Sequence, residues 1–221
     1  GVFKSMQPII IIGAGGFGRE VYALLEDINR TAPTWNVLGF ADDRSEALDS
    51  FEHYPSLLCP VEQLPVADCR HYVCAVGDPT ARRAIVKRLA DRGLVWPTLI
   101  HPTAAVGPGS ALGVGSILCR NSVVTVDATL GNYVHLNLAA TVGHDAKVGD
   151  FCTLSCQVDI CGAAVVGNGV FLGSHASVLP RAKIGDGARV GAGSVVLRTV
   201  REGATVFGVP ALRTRTSGGD S

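Results

Sequence analysis

Methionine occurs once in this 221-residue sequence, aromatic residues make up only 6%, and net charge is absent. Nineteen basic residues balance nineteen acidic ones, which leaves no net field to draw the chain onto nucleic acid or an anionic membrane. Any polyanion it binds is therefore small. Hydrophobic residues reach 47%, yet they are small and dispersed, and no continuous apolar run approaches the ~18 residues that cross a bilayer. Membrane insertion is not expected. The seven cysteines, at positions 59, 69, 74, 119, 152, 156 and 161, include no CxxC pair and follow no signal-like segment. An odd set of this kind reads as free thiols in a reducing compartment, the cytoplasm. The five residues before Met6, GVFKS, read as an added leader and are left out of the fold argument.

What the sequence does contain divides near residue 97. The first part opens with PIIIIGAGGFGREVYALLEDINR: an isoleucine run, then Gly13, Gly15, Gly16 and Gly18, then Val21, Leu24, Leu25 and Ile28 on one helical face. That order is strand, glycine turn, helix. NVLGFADD and HYVCAVGD read as further strands, and PTARRAIVKRLADRG as a helix entered by Pro79 and closed by Gly93. Strands alternating with helices predict a small parallel α/β unit over residues 6–97, Rossmann-like but only half the size of a dinucleotide fold.

Downstream the period is six. From Ile100 to Val196 all seventeen positions at that step are aliphatic, and the register four residues later stays small or β-branched from Ala104 to Ser194. Three hexads make one triangular coil of eighteen residues, stacked at the ~4.8 Å spacing of neighbouring strands. The pattern predicts a hexapeptide β-helix of roughly five coils over residues 98–213, with a flexible tail at 214–221. Glycines directly after the aliphatic position, such as Gly107, Gly143 and Gly185, are expected to supply turn conformations that a side chain would oppose.

The unbroken hexads, the stretch LNLAATVGHDAKVGDF, the closing VFGVPALR and the leading IIIGAGGFGRE together resemble the bacterial sugar acetyltransferases typified by bacillosamine N-acetyltransferase and sialic acid O-acetyltransferase. The resemblance spans residues 7–213. It implies a left-handed β-helix, a homotrimer, acetyl-CoA as donor and a nucleotide-linked amino sugar as acceptor, within surface glycan biosynthesis. It also makes His144 the general base and Asn137 an acceptor-site residue. Thr153, Gly162, Ser174 and Ala192 fall along the acetyl-CoA, with Thr153 standing where relatives often carry a second histidine.

The residues themselves support part of this. His144 stands two positions beyond Val142, outside the core register, and Asp145 follows it, so a carboxylate can fix the imidazole tautomer if the chain turns there. Gly162 is eighteen residues on, one coil above, where its N–H could meet a thioester carbonyl. The bland alternative is a surface histidine on a corner. For Asn137 the alternative is an inward asparagine ladder. No zinc is expected, because the histidines do not share the spacing of a three-histidine site. Cys161 reads as a small core-like residue rather than a nucleophile.

Two readings of other classes stay open. GAGGFG with Asp42 twenty-four residues beyond Gly18 fits a dinucleotide fingerprint and hence an NAD-dependent oxidoreductase, although the unit is too short for two mononucleotide halves. Glycine turns at a helix N-terminus hold the phosphates of a nucleotide-sugar equally well, which places the acceptor at Gly13, Gly15 and Gly16, with Asp42 and Asp43 near its base as the resemblance implies. A non-catalytic nucleotide-sugar-binding scaffold, and an O-acetyltransferase of a sialic-acid-like sugar, complete the alternatives. Arg213 and Arg215 could meet coenzyme A phosphates or form a solvated basic tail.

Overall fold

A computed structural model describes residues 5–214. The chain begins as a four-stranded parallel sheet in the order β3-β2-β1-β4, formed by β1 (Gln7–Ile12), β2 (Trp35–Ala41), β3 (Leu57–Cys59) and β4 (His71–Cys74). All four isoleucines of β1 are fully buried, since both faces of this strand are covered, which explains a continuous apolar run instead of an alternating one. α1 (Gly16–Thr31) lays Val21, Leu24 and Leu25 against Ile9 and Ile11. α2 (Pro79–Arg88) packs Val86 on the opposite side with Ile10 and Ile12. The Asp78 side chain caps α2 by accepting the Ala81 N–H at 2.9 Å. Gly93 closes the following turn at φ 67°, as the proline-in, glycine-out pattern predicts.

From Leu99 onward the chain is a parallel β-solenoid with three faces. Two-residue strands pair with strands eighteen residues away, as in Thr129↔Lys147 and His135↔Thr153. The first face carries strands beginning at Leu99, Ile117, His135, Thr153, Phe171, Arg189 and Thr205, and the α/β unit packs on it. The second begins at Ala105 and the third at Ala111, each with six strands. That makes six turns rather than five. The seventeen hexads, at three to a coil, already come to nearly six, and two further strands follow where the step shortens after Val196: Lys183 pairs with Thr199 and Arg189 with Thr205, sixteen residues instead of eighteen.

The aliphatic register fills the interior from Leu118 to Val196, with no member above 3% exposed. Ile100 and Val106 are 39% and 38% exposed, since no coil lies beneath them.

The corner glycines act differently from the expectation. Gly107, Gly143 and Gly185 do not have a left-handed φ, but a Cβ at each would sit 2.0, 2.8 and 2.4 Å from the backbone of the neighbouring coil. Close approach, not turn conformation, requires them. The left-handed residue comes two positions later and is mostly not glycine: Asn121, Asp127, Tyr133, Ala139, Asp145, Phe151, Gln157 and Ala163 all have φ between 54° and 61°.

The corner between the third and first faces carries a ladder that sequence reasoning missed. Asn132, Asp150, Asn168 and Asp186 each accept, through Oδ1, the backbone N–H one coil below, from Val114, Asn132, Asp150 and Asn168 at 2.7–3.0 Å. Their recurrence every eighteen residues was the available signal. Among the described residues no helix is long and apolar enough to cross a membrane.

Candidate active site

His144 lies on the corner between the second and third faces. The left-handed backbone of Asp145, φ 59°, turns the next side chain back, so that Asp145 Oδ2 lies 2.8 Å from His144 Nδ1. A carboxylate only accepts, so Nδ1 carries the proton and the lone pair is on Nε2. That nitrogen faces Gly162: a Cβ there would stand 2.4 Å from Nε2 and 2.6 Å from Cε1. The imidazole thus rests on a site that only glycine leaves open. The Gly162 N–H donates to no acceptor among the described residues. A base and an unspent donor therefore stand side by side, the pairing that acyl transfer uses.

Ser174 and Ala192 lie on a different corner, between the first and second faces, stacked above Leu138 and Cys156 at the eighteen-residue step. Here too the N–H groups of Cys156, Ser174 and Ala192 have no partner among the described residues, in contrast to the corner sealed by the Asn/Asp ladder. Asn137 begins this corner. Its coil neighbours are Cys119 and Ser155, so it forms no asparagine ladder, and its Oδ1 is buried without a partner.

A second cleft, of about 290 Å³, opens at the carboxyl ends of the sheet strands, lined by Gly13, Asp42, Asp43, Arg44, Val61, Val76 and Ile85 among others. Gly13 has φ 99°, and a Cβ would meet Ala75 O at 2.9 Å; one on Gly18 would meet Gly13 O at 1.9 Å. α1 starts from Gly15 with no side-chain cap, so no capping side chain takes up its first N–H groups. Asp42 is committed to the protein: Oδ2 accepts from Ala14 N and Arg44 Nη2, both at 2.8 Å, and Oδ1 from Arg44 N and Nε at 2.9 and 3.0 Å. Burial pushes its carboxyl up, but these donors outweigh it and hold the pKa below the ordinary value. With all four acceptor directions used, Asp42 has none left for a ribose hydroxyl, the contact a dinucleotide site needs. Asp43 Oδ1 accepts the Val61 N–H at 2.9 Å, and its side chain remains 61% exposed.

Thr153 departs from its expected place along acetyl-CoA. It sits on the first face, 2% exposed beneath the α/β unit, donating to Gly77 O at 2.6 Å and lying 3.0 Å from Arg82 Nη1. What decides its role is the partner packed over it, which no local pattern reveals. Beside it, His135 is fully buried, and burial, then the Arg82 charge, holds its pKa well below the ordinary value. Among the described residues no cluster of three or more His, Cys, Asp or Glu could hold a metal. Arg213 is exposed in the last strand, and Arg215 lies outside the described residues.

Comparison with known proteins bears on this arrangement. A family model described as the PglD N-terminal domain matches residues 8–89, and one described as the bacterial transferase hexapeptide (six repeats) matches residues 163–198. The acetyltransferase domain of PglB from Neisseria gonorrhoeae FA1090 is 30% identical, with a TM-score of 0.85 over 94% of this chain and 100% of that one. The chain belongs to the hexapeptide-repeat sugar acetyltransferases. PerB from Caulobacter crescentus, solved with CoA and GDP-perosamine, is similar at 27% identity and TM-score 0.83, over 96% of this chain and 99% of its own. WeeI from Acinetobacter baumannii AYE is similar at 26% identity and TM-score 0.81, over 95% of this chain and all of its own. Curated protein sequences give no match. As a sugar acetyltransferase the chain is an acyltransferase, and the oxidoreductase reading has neither a family nor a free ribose acid to support it.

Proposed function

We propose that this chain transfers the acetyl group of acetyl-CoA to the amine of a nucleotide-linked amino sugar, with His144 as general base. The observation that carries the reading is the presentation of Nε2 over Gly162 with Asp145 on Nδ1. The amine attacks the thioester carbonyl, forming the C–N bond, while its proton passes to Nε2. The carbonyl oxygen takes up the displaced electron pair beside the Gly162 N–H. Collapse breaks the C–S bond, and the imidazolium returns the proton to the coenzyme A sulfur. Asp145 stabilises the transient imidazolium. A positioned base is worth roughly 10²–10⁴ and an oxyanion donor roughly 10²–10³ in rate. PerB was solved with CoA and GDP-perosamine, and the PglB domain with acetyl coenzyme A, which supports both ligand classes.

The acceptor's phosphates lie on the Gly13, Gly15 and Gly16 turn at the N-terminus of α1, with the base toward Asp43 and Arg44. The acetyl-CoA arm runs along Ser174 and Ala192. Ser174 and Ala192 lie across the second face from the His144 corner, and a groove between two copies would bring one copy's His144 corner to the other's Ser174 column, the arrangement of a closed homotrimer. Surface glycan synthesis in the cytoplasm, with the seven thiols reduced, is the setting that suits these substrates. The test is an assay with acetyl-CoA and UDP-, GDP- and dTDP-linked amino sugars, read as free thiol release, with light scattering for the assembly. Turnover of one pair is expected from a trimer. No turnover with any acceptor would leave a binding scaffold.

A further inference from the structure

Arg82 is the largest of the fully buried side chains, and it is charged. The fourth residue of α2, it has no exposed surface, and burial lowers its pKa only to about 10, so it stays cationic at neutral pH. No carboxylate contacts it among the described residues. A buried charge costs several kcal/mol in desolvation unless hydrogen bonds compensate, and an apolar residue of similar volume is often as stable or more so. Stability alone gives a weak reason for an arginine here.

Its acceptors suggest a different reason. Nη1 lies 2.8 and 3.2 Å from Val76 O and Gly77 O, in the loop between β4 and α2, and 3.0 Å from both His135 Nδ1 and Thr153 Oγ1. Nε donates to Tyr133 O and Nη2 to Cys152 O, each at 3.0 Å. The loop acceptors belong to the wall of the proposed acceptor cleft: Val76 lines it, and its Cγ2 is 3.1 Å from where a Gly13 Cβ would be. The remaining acceptors belong to two successive solenoid coils. Asn137 and His144 continue from the first, and Cys156 and Gly162 from the second. Thr153 adds a second strut by donating to Gly77 O at 2.6 Å, and the His135 ring stands 5.0 Å from that of Phe17 in the glycine turn.

We propose that Arg82 is a positioning residue, which fixes the acceptor cleft at one distance from the coils bearing the acetyl-transfer site. The proposal rests on the functional reading above. A guanidinium suits the task because its planar fork addresses the loop and both coils at once, whereas a lysine offers a point charge with three mobile donors. Misplacement of an acceptor by about 1 Å can cost roughly 10²-fold in rate while leaving each ligand's own pocket intact.

The test compares Arg82→Met, Arg82→Lys and Thr153→Val with Ile184→Ala, a solenoid core change that lowers thermal stability away from either ligand. Arg82→Met is expected to lose roughly 10²-fold in kcat, with acetyl-CoA KM and calorimetric affinity for the bare nucleoside diphosphate within about twofold of wild type. Arg82→Lys should recover part of that loss. Unchanged kcat in Arg82→Met, or the same loss in Ile184→Ala, overturns the proposal. If Arg82→Met does not fold, the lysine and valine variants decide the matter by the same split. Hydrogen exchange of residues 75–81 supplies a readout independent of turnover: faster exchange is expected in Arg82→Lys, and wild-type protection in that variant overturns the proposal. An absence of wild-type turnover would instead count against the functional reading, leaving the exchange experiment to judge Arg82.

Discussion

Two consecutive side chains rarely meet, and His144 and Asp145 do so because the second adopts a left-handed backbone at the solenoid corner. The adjacency was legible in the sequence, and so was Gly162, because the eighteen-residue coil fixes what lies above each residue. The support Asp145 gives the imidazole was legible too, given a turn; that a left-handed backbone makes the turn, and that Gly162 is needed to leave room for the ring, was not. His144→Ala should lower kcat by roughly 10²–10⁴ with assembly and acetyl-CoA binding preserved, measured by steady-state kinetics. Gly162→Ala should mimic much of that loss by a different route, since its methyl would stand 2.4 Å from Nε2 and push the ring aside. Near-normal turnover in His144→Ala would make the histidine a corner ornament. Arg82 and Arg83 show the opposite case. In the run ARRAIVKR they look alike, yet Arg83 is exposed over the Phe151 ring at 5.2 Å while Arg82 is wholly buried. Arg82's solenoid partners are 51 to 71 residues away, beyond any local pattern.

At the level of elements, the hexad period was readable because a residue's place in its own coil decides whether it points inward. The number of coils was underestimated because seventeen hexads at three to a coil come nearer six than five and two further strands follow a shortened step, and the glycines were given the wrong reason because crowding comes from the next coil rather than from the turn itself. The three corners also differ in chemistry. One is closed by the Asn/Asp ladder, while the two flanking the second face leave N–H groups unspent, which is where the proposed acetyl-transfer residues stand. A backbone donor deprived of its acceptor typically costs ~1–3 kcal/mol when buried and less where water reaches it. Asp150→Ala removes the acceptor of the Asn132 N–H at a half-buried corner, so a loss of about 1 kcal/mol is expected. Denaturant unfolding would show it as a lower midpoint with an unchanged slope, and acetyl transfer should persist. An unchanged midpoint would mean that water replaces the ladder without loss.

For the whole molecule, the join between the α/β unit and the solenoid carries a titrating group, His135. Burial, followed by the Arg82 charge, holds its pKa well below the ordinary value of about 6.5. Above that value the imidazole is neutral whether the chain is folded or not, and this group adds no pH dependence. As pH falls below about 6.5 the unfolded chain takes up a proton that the folded one refuses, so stability declines, by up to about 1.4 kcal/mol per pH unit. The decline continues until the folded pKa is reached. Carboxylates act in a lower window: Asp27, held down first by its hydrogen bond with His101, and Asp78, held down first by the Ala81 N–H, keep their stabilising effect until pH falls through about 4. Between pH 7 and 5.5 the two effects therefore separate. Chemical unfolding at one fixed protein concentration should show wild-type stability falling across that range, and His135→Gln should reduce the slope, because the amide does not titrate while its oxygen can still accept from Arg82. A wild-type curve that stays flat to pH 5.5, or a variant with the same slope, would show that the buried imidazole is not what ties the fold to neutral pH.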